Sequence, residues 1–357
     1  MTISSASSST SKPRIDYLDF LKAIAILLVV SCHMSNTPSS IYNLSVSIQM
    51  PIFFFVSGLL TKSFNFERES SLKKTLKFIA SKAHRLLLPY FVYITLQCIL
   101  PHLSNIEASI MTLRTSIASQ GITILWQPYY NLMTTFWQCG GWFLVCLFLV
   151  FVIHAVISWF TFLSGKNWME YVLYVIAYVI LRYMYLYHPI AYEYYNLFCI
   201  AHLSWYLPYF FFGTKIKVLE GRLSKNKEIV IAAICLIIFA ISMFKEGRGN
   251  INLSFHIFAF TGIIGLYYFA KNIYSLFNCK IKAVFSYIGQ RTLEIYLIHF
   301  FLLRYFHTLY ITDLIAIVAL SLVICKALRY NKWVSCIVLG TKLPAGRKQT
   351  QQPEGGK

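Results

Sequence analysis

Ten apolar stretches, each long enough for a membrane-spanning helix, follow one another along this sequence. The first starts near Phe20, and the others lie near residues 42–61, 86–103, 140–162, 169–187, 196–213, 228–244, 252–270, 284–304 and 310–330. A helix needs about 20 apolar residues to cross the hydrocarbon core of a bilayer. Only 13% of the 357 residues are charged, against about 25% in soluble domains. We therefore expect an all-α integral membrane protein with about ten transmembrane helices, and not a soluble, disordered or collagen-like chain.

Lys and Arg collect in alternate loops between these stretches. Of the 32 Lys and Arg residues, 26 fall on one side of the predicted membrane, five fall on the other, and Arg291 lies inside the ninth stretch. Cytoplasmic loops are the ones that carry such an excess. Both termini are therefore predicted to be cytoplasmic. We attribute the net charge of +19 to loops that face the anionic cytoplasmic surface of the membrane, and nucleic acid is not expected as a partner.

The ends of the chain are polar. We expect residues 1–19 to form a cytoplasmic tail, residues 20–335 to form the membrane domain, and residues 336–357 to form a second, disordered tail. Asp16, Asp19 and Lys22 crowd the start of the first apolar stretch, which argues against a cleaved signal peptide or lipoprotein signal. The segment 104–139 contains Trp126 and Trp137, which favour an interfacial aromatic belt over a sugar-stacking surface.

Ionisable residues inside the apolar stretches are the first candidates for function, because burying them in a bilayer is costly. Lys22 and His33 are eleven residues apart. On a helix this spacing places them within about 20° of one face and about 16 Å apart along the axis. A snorkelling lysine and a structural core histidine are the alternative. The nine cysteines occur singly, with no CxxC pair, and are interpreted as core residues rather than a disulfide or metal framework.

Two further stretches carry candidates at similar depths. Arg85 lies near the start of the third stretch, at the same predicted level as Lys22, and two cations at one level suggest an anion such as a phosphate. In the ninth stretch, Arg291 and Glu294 have the i, i+3 spacing of an ion pair, which could be purely structural. His299 reaches a depth similar to that of His33, and a neutral imidazole accepts a proton near neutral pH.

Six segments in this order resemble acyltransferase family 3, and especially its fucose 4-O-acetylase-like branch. They are LDFLKAIAILLVVSCH, QMPIFFFVSGLL, KAHRLLLPY, GGWFLVCLFLV, LPYFFFGTKIK and IGQRTLEIYLIHFF. The resemblance implies a ten-helix bacterial inner-membrane enzyme. It would transfer an acyl group, usually acetyl from acetyl-CoA, to a hydroxyl of an envelope carbohydrate such as O-antigen, capsule, exopolysaccharide or a lipid-linked sugar. No metal is implied.

The resemblance also implies roles for individual residues. His33 matches the family's catalytic histidine, and Lys22 stands where many members have Arg, which keeps the charge but not the bidentate fork. Arg85 matches the basic residue before LxxPY. Three further residues match family motifs as acceptor-orienting candidates: Trp142 in WFL, and Tyr296 and His299 in IYLxH.

Three function hypotheses follow from the sequence. In the first, the phosphates of acetyl-CoA contact Lys22 and Arg85, and His33 acts as a general base or forms an acetyl-histidine intermediate. The expected partners are membrane lipids, acyl-CoA, the carbohydrate acceptor and polysaccharide-assembly proteins. In the second, the chain is a transporter or flippase for an envelope glycolipid, with Lys22, Arg85 and Arg291 along the substrate path. An inactive scaffold is a third reading, which would tolerate loss of His33.

Overall fold

The computed structural model describes residues 16–61, 71–103, 141–187, 199–219, 222–245 and 253–342. The predicted aromatic segment 104–139, residues 1–15 of the N-terminal tail and residues 343–357 of the C-terminal tail lie outside these ranges. Regular structure in the described part of the chain is helical throughout, as the apolar pattern predicts.

Twelve α-helices are present in the described ranges. They are α1 (Asp16–His33), α2 (Ser39–Leu60), α3 (Ser71–Leu103), α4 (Trp142–Ser164), α5 (Trp168–Tyr187), α6 (Ile200–Leu219), α7 (Lys225–Lys245), α8 (Leu253–Ile273), α9 (Cys279–Gln290), α10 (Thr292–Leu302), α11 (Tyr310–Leu328) and α12 (Lys332–Leu339). Two short 3₁₀ segments, Tyr274–Leu276 and Leu303–Tyr305, follow α8 and α10.

Where the structure describes them, the predicted apolar stretches are helical over nearly all of their length. Within the described part of the chain, five helices are long and apolar enough to cross a membrane, namely α2, α4, α5, α7 and α11. The chain is therefore a helical membrane protein, and the count of ten spans and the side of each terminus stay predictions. The ninth stretch differs from its prediction, because the backbone breaks at Arg291 (φ −114°, ψ 19°) and forms two helices, α9 and α10.

The chain divides into two compact units. The first comprises residues 1–63 and 206–322, and the second comprises residues 64–205 and 323–357.

In the first unit α1 is the central element, and it packs against α2, α8, α9 and α10. Its apolar side chains are almost completely buried, as Leu21, Ile26 and Val29 illustrate. Phe20 lies among the aromatic rings of Tyr274, Phe277 and Phe285 at centroid distances of 5.9, 5.3 and 4.8 Å. An all-round apolar helix such as α1 needs partners on every side, which explains its central place.

Glycines allow α2 and α6 to cross with their backbones in contact. A Cβ atom at Gly58 of α2 would collide with the carbonyl oxygen of Phe210, and one at Gly213 of α6 would collide with that of Phe55. Small residues allow membrane helices to approach closely in this way. Next to the crossing, the rings of Phe54 and Tyr206 stack in parallel at 4.7 Å.

The second unit contains α3, α4, α5 and α12, with α3 packed against α4 and α12, and α4 against α5. A buried hydrogen bond of 2.7 Å joins His154 of α4 to the hydroxyl of Tyr174 of α5. The ammonium of Lys82 lies 3.7 Å from the centroid of the Phe151 ring, which offsets part of the cost of placing a cation between apolar helices.

Candidate functional site

The first unit brings together the two histidines that the sequence singled out. His33 is the last residue of α1, and His299 lies on α10, which packs against α1. The centroids of the two imidazole rings are 5.4 Å apart, with the ring planes at 62°. The ring of Phe300 contacts both histidines, at 4.7 Å from His33 and 4.1 Å from His299. The predicted similarity in depth of the two residues therefore corresponds to direct contact.

A backbone carbonyl determines which nitrogen of His33 carries the proton. The Nδ1 atom lies 2.8 Å from the carbonyl oxygen of Val29, one turn back in α1. Because a carbonyl oxygen only accepts hydrogen bonds, Nδ1 is the protonated nitrogen and Nε2 carries the lone pair. The His33 side chain is exposed. This arrangement presents Nε2 of a neutral imidazole as a proton acceptor or a nucleophile.

His299 makes the same kind of bond but is completely enclosed. Its Nδ1 donates to the carbonyl oxygen of Ile295 at 3.2 Å, and the residue has 0% exposure. Its Nε2 has no hydrogen-bond partner within the described part of the chain. The ring of Tyr296, which is also buried, lies 5.7 Å from that of His299. The His33 ring therefore packs against His299 and Phe300, and Tyr296 lies behind these two rings.

Two polar neighbours support His33 from α1 and α2. The Nε2 of Gln49 donates to the Sγ of Cys32 at 3.1 Å, and this sulfur lies 3.2 Å from Nδ1 of His33. The Cys32 thiol itself donates to the Val29 carbonyl oxygen at 3.3 Å. Sequence reasoning missed Gln49, although a lone amide immediately before the apolar run MPIFFF of the second stretch was a usable signal.

Lys22 is part of an ion pair that the sequence analysis did not predict. Its Nζ lies 2.6 Å from Oδ1 of Asp19, and the two side chains are 20% and 6% exposed. The backbone at Asp19 is in contact with α9, where a Cβ atom at Gly289 would collide with the Asp19 carbonyl oxygen. The i, i+3 spacing of Asp19 and Lys22 was the available signal.

Arg291 occupies the break between α9 and α10. Its guanidinium lies 3.5 Å from the centroid of the Tyr287 ring and donates to the Tyr287 carbonyl oxygen at 3.1 Å. Both contacts are with a residue one helical turn before Arg291. Glu294, which the sequence predicted as the ion-pair partner of Arg291, lies three residues after it. Glu294 is buried in the first turn of α10, with 5% exposure.

Arg85 and Trp142 belong to the second unit. Arg85 is exposed on α3, and its carbonyl oxygen contacts Gly340, which follows α12 in a left-handed conformation (φ 62°). The ring of Trp142, at the start of α4, lies 3.9 Å from that of His202. Their roles in binding a phosphate and an acceptor stay predictions from the sequence.

A polar cluster holds the turn that follows His33. The buried carboxylate of Asp313, in the first turn of α11, accepts from Nδ2 of Asn36 at 2.8 Å. It also accepts from the backbone N–H and the hydroxyl of Thr308, at 2.7 and 2.8 Å. The hydroxyls of Ser31 and Tyr310 are 2.9 Å apart. The sequence analysis missed this cluster, since residues from the first and last stretches meet there only in the folded chain.

The chemistry available at this site is that of imidazole, amide, hydroxyl and carboxylate groups. In the described ranges, no group of three or more His, Cys, Asp and Glu side chains is arranged to hold a metal ion. An exposed neutral histidine with a defined tautomer is suited to removing a proton from a hydroxyl or to attacking a carbonyl carbon.

The sequence matches a family model whose description is acyltransferase domain, of acyltransferase family 3, over residues 15–329. The matched range includes α1, α10 and every residue of the histidine site. No curated protein and no solved structure matches the chain.

Proposed function

The chain belongs to acyltransferase family 3, and from this we propose that it transfers an acetyl group from cytoplasmic acetyl-CoA to a hydroxyl of an envelope carbohydrate in the bacterial inner membrane. The observation that supports this proposal most is the hydrogen bond from Nδ1 of His33 to the Val29 carbonyl oxygen. It leaves Nε2 of an exposed imidazole ready to accept a proton.

In the proposed reaction His33 acts as the general base. Its Nε2 takes the proton of the acceptor hydroxyl as the hydroxyl oxygen attacks the thioester carbonyl carbon. The new C–O bond forms, the C–S bond breaks, and the imidazolium returns the proton to the departing thiolate. The products are the acetyl ester and CoA with a free thiol, and His33 is neutral again.

A two-step route through an acetyl-histidine is the alternative within the same function. The Nε2 lone pair of His33 would then attack the thioester carbon directly, and the acceptor hydroxyl would attack the acetyl-imidazole. Incubating the protein with acetyl-CoA alone distinguishes the routes. Release of one equivalent of CoA thiol with label retained on the protein indicates the intermediate, and no release without acceptor indicates direct transfer.

We assign His299 a supporting role. A residue with 0% exposure does not reach a substrate bound at His33 without rearrangement, but its ring packs against that of His33 at 5.4 Å. A neutral imidazole in this place limits the orientations of the His33 ring and adds no charge to repel the imidazolium formed during the reaction.

Lys22 is proposed to bind a phosphate of acetyl-CoA. It lies on α1 about 16 Å along the helix axis from His33, which separates the charged end of the donor from the reacting thioester. Its 2.6 Å pair with Asp19 fixes the position of the ammonium and neutralises part of its charge. The proposed role rests on the match of Lys22 to the family motif and on its 20% exposure.

The test is acetyl transfer by detergent-purified protein. Radiolabelled acetyl-CoA is incubated with the protein and with crude envelope carbohydrate from the host, and label is counted in the saccharide fraction. The proposal expects label there, released by mild base as an ester, and a decrease when excess unlabelled acetyl-CoA is added. Folded protein that neither transfers label nor binds CoA would contradict it and favour the transporter.

A further inference from the structure

His33 is the last residue of α1, so its position depends on the chain that follows. In the turn 34–37 the N–H of Met34 and the hydroxyl of Thr37 both donate to the carbonyl oxygen of Ser31, at 3.1 and 2.5 Å. From this turn the Asn36 side chain donates to Asp313 of α11, and the Ser35 hydroxyl lies 3.2 Å from Nδ1 of His307. The end of α1 is thus bonded to the segment that begins α11.

Asp313 is the anchor of this connection. It is 3% exposed, and both of its carboxylate oxygens accept hydrogen bonds, Oδ2 from Asn36 and from the backbone of Thr308, and Oδ1 from the Thr308 hydroxyl. A buried carboxylate with three donors is a rigid point, because losing any bond leaves a desolvated polar group without its partner. Nothing in the acetyl-transfer chemistry requires a carboxylate there.

We propose that Asp313 is a positioning residue for the acetyl transfer, acting through Asn36 to hold the turn that sets where His33 stands. This inference rests on the proposed function. Displacing a reacting group by about 1 Å can lower a rate about 100-fold, so a loosened turn is expected to affect the chemical step. Binding of the donor phosphates at Lys22, about 16 Å away along α1, should be unaffected.

The first variant is Asp313→Asn, which keeps the size of the side chain and removes the charge of the group that accepts from Asn36 and from the Thr308 backbone. Its kcat for acetyl transfer is expected to fall about 10- to 100-fold while the KM for acetyl-CoA stays within twofold of wild type. The second variant, Asn36→Ala, removes the connection and leaves Asp313 bonded to Thr308. It should show the same split between kcat and KM, with a melting temperature only a few degrees below wild type, about the effect of losing one hydrogen bond.

The double variant Asn36→Ala/Asp313→Asn tests whether the two residues act through one connection. If Asp313 acts through Asn36, the kcat of the double variant should lie within about twofold of the lower of the two single variants, because the second change has no connection left to disturb. Ser35→Ala is the matched control, since its bond to His307 is exposed and should contribute little. Losses that multiply in the double variant would show that Asp313 does not act through Asn36.

The outcomes separate this inference from the proposed function. A wild-type protein that transfers no acetyl group would overturn both. An active wild type with unchanged kcat in Asn36→Ala would overturn the role of Asp313 and leave the proposed function standing. A fall in kcat accompanied by a rise in the KM for acetyl-CoA of the same factor would also overturn it, and so would losses that multiply in the double variant.

Discussion

The two histidines share one kind of backbone contact and differ in exposure, and this difference divides their roles. Each donates from Nδ1 to the carbonyl oxygen four residues earlier, which leaves Nε2 unprotonated. His33 is exposed and His299 is not. We therefore place the reaction at His33 and regard His299 as the surface against which it is held.

The role of His299 can be tested by removing its ring or by replacing it with an aromatic ring that has no nitrogens. His299→Ala opens a cavity beside the His33 ring, and we expect kcat to fall about 10- to 100-fold because His33 is no longer confined. His299→Phe fills most of this volume and should recover most of the rate. Steady-state kinetics on both variants provide the measurement. Equal losses in the two would instead indicate that Nε2 of His299 takes part in the chemistry.

The predicted phosphate contact at Lys22 is separable from its ion pair. Lys22→Gln should raise the KM for acetyl-CoA about tenfold with a smaller change in kcat, because a charged hydrogen bond contributes about 1.5–3 kcal/mol to binding. Asp19→Asn is the control: it removes the pair and keeps the ammonium, so KM should rise much less. Isothermal titration calorimetry with CoA measures the change in affinity for each variant. Equal KM values for Lys22→Gln and wild type would contradict the contact.

At the scale of single residues, the sequence singled out candidate side chains but not the groups that bind them. Lys22 and His33 stood out because ionisable residues in apolar stretches are costly, and their roles stay predictions. Asp19, Gln49 and Asp313 were missed, because their importance comes from hydrogen bonds and ion pairs that form only in the folded chain.

At the scale of helices, the crossing of α2 and α6 builds the first unit. Gly58 and Gly213 each lie against a carbonyl oxygen of the facing helix, and α2 in turn packs along α1. Since α1 carries Lys22 and His33, the crossing contributes indirectly to the geometry of the site.

Gly58→Ala should lower the stability of the protein measurably. The added methyl group would meet the backbone of Phe210, which cannot rotate away, and overpacking of this kind costs about 1–3 kcal/mol. Thermal unfolding in detergent, followed by circular dichroism, measures the change. Gly165→Asn is the control, because the left-handed backbone there tolerates Asn and nothing lies within 4 Å of the new Cβ. An unchanged melting temperature for Gly58→Ala would show that the helices separate at no cost.

The helices themselves were predictable, and the break at Arg291 was not. Runs of about 20 apolar residues determine where helices form in a bilayer, and each predicted stretch is helical over nearly all of its described length. The ninth stretch is less apolar before Arg291 (VFSYIGQ) than after it (TLEIYLIHFFLLR), but neither side carries a proline that would predict a break. At the break Gly289 of α9 meets the backbone of Asp19, and Arg291 contacts Tyr287 one turn earlier.

At the scale of the whole molecule, the apolar composition and the match over residues 15–329 agree on a membrane acyltransferase. Positive charge concentrated on one predicted side predicts that the start of α1 faces the cytoplasm, where the proposed donor acetyl-CoA is available. The identity of the acceptor follows neither from composition nor from helix packing, because a hydroxyl is the only feature of the acceptor that the proposed reaction requires.

The central claim is that acetyl transfer depends on Nε2 of His33. The most direct measurement compares wild type with His33→Ala for label transferred from acetyl-CoA to saccharide, in protein samples with matched melting temperatures and matched affinity for CoA. We predict that the variant binds CoA normally and transfers at least about 100-fold more slowly, the scale of general-base catalysis. Transfer by His33→Ala at a rate close to wild type would contradict the account.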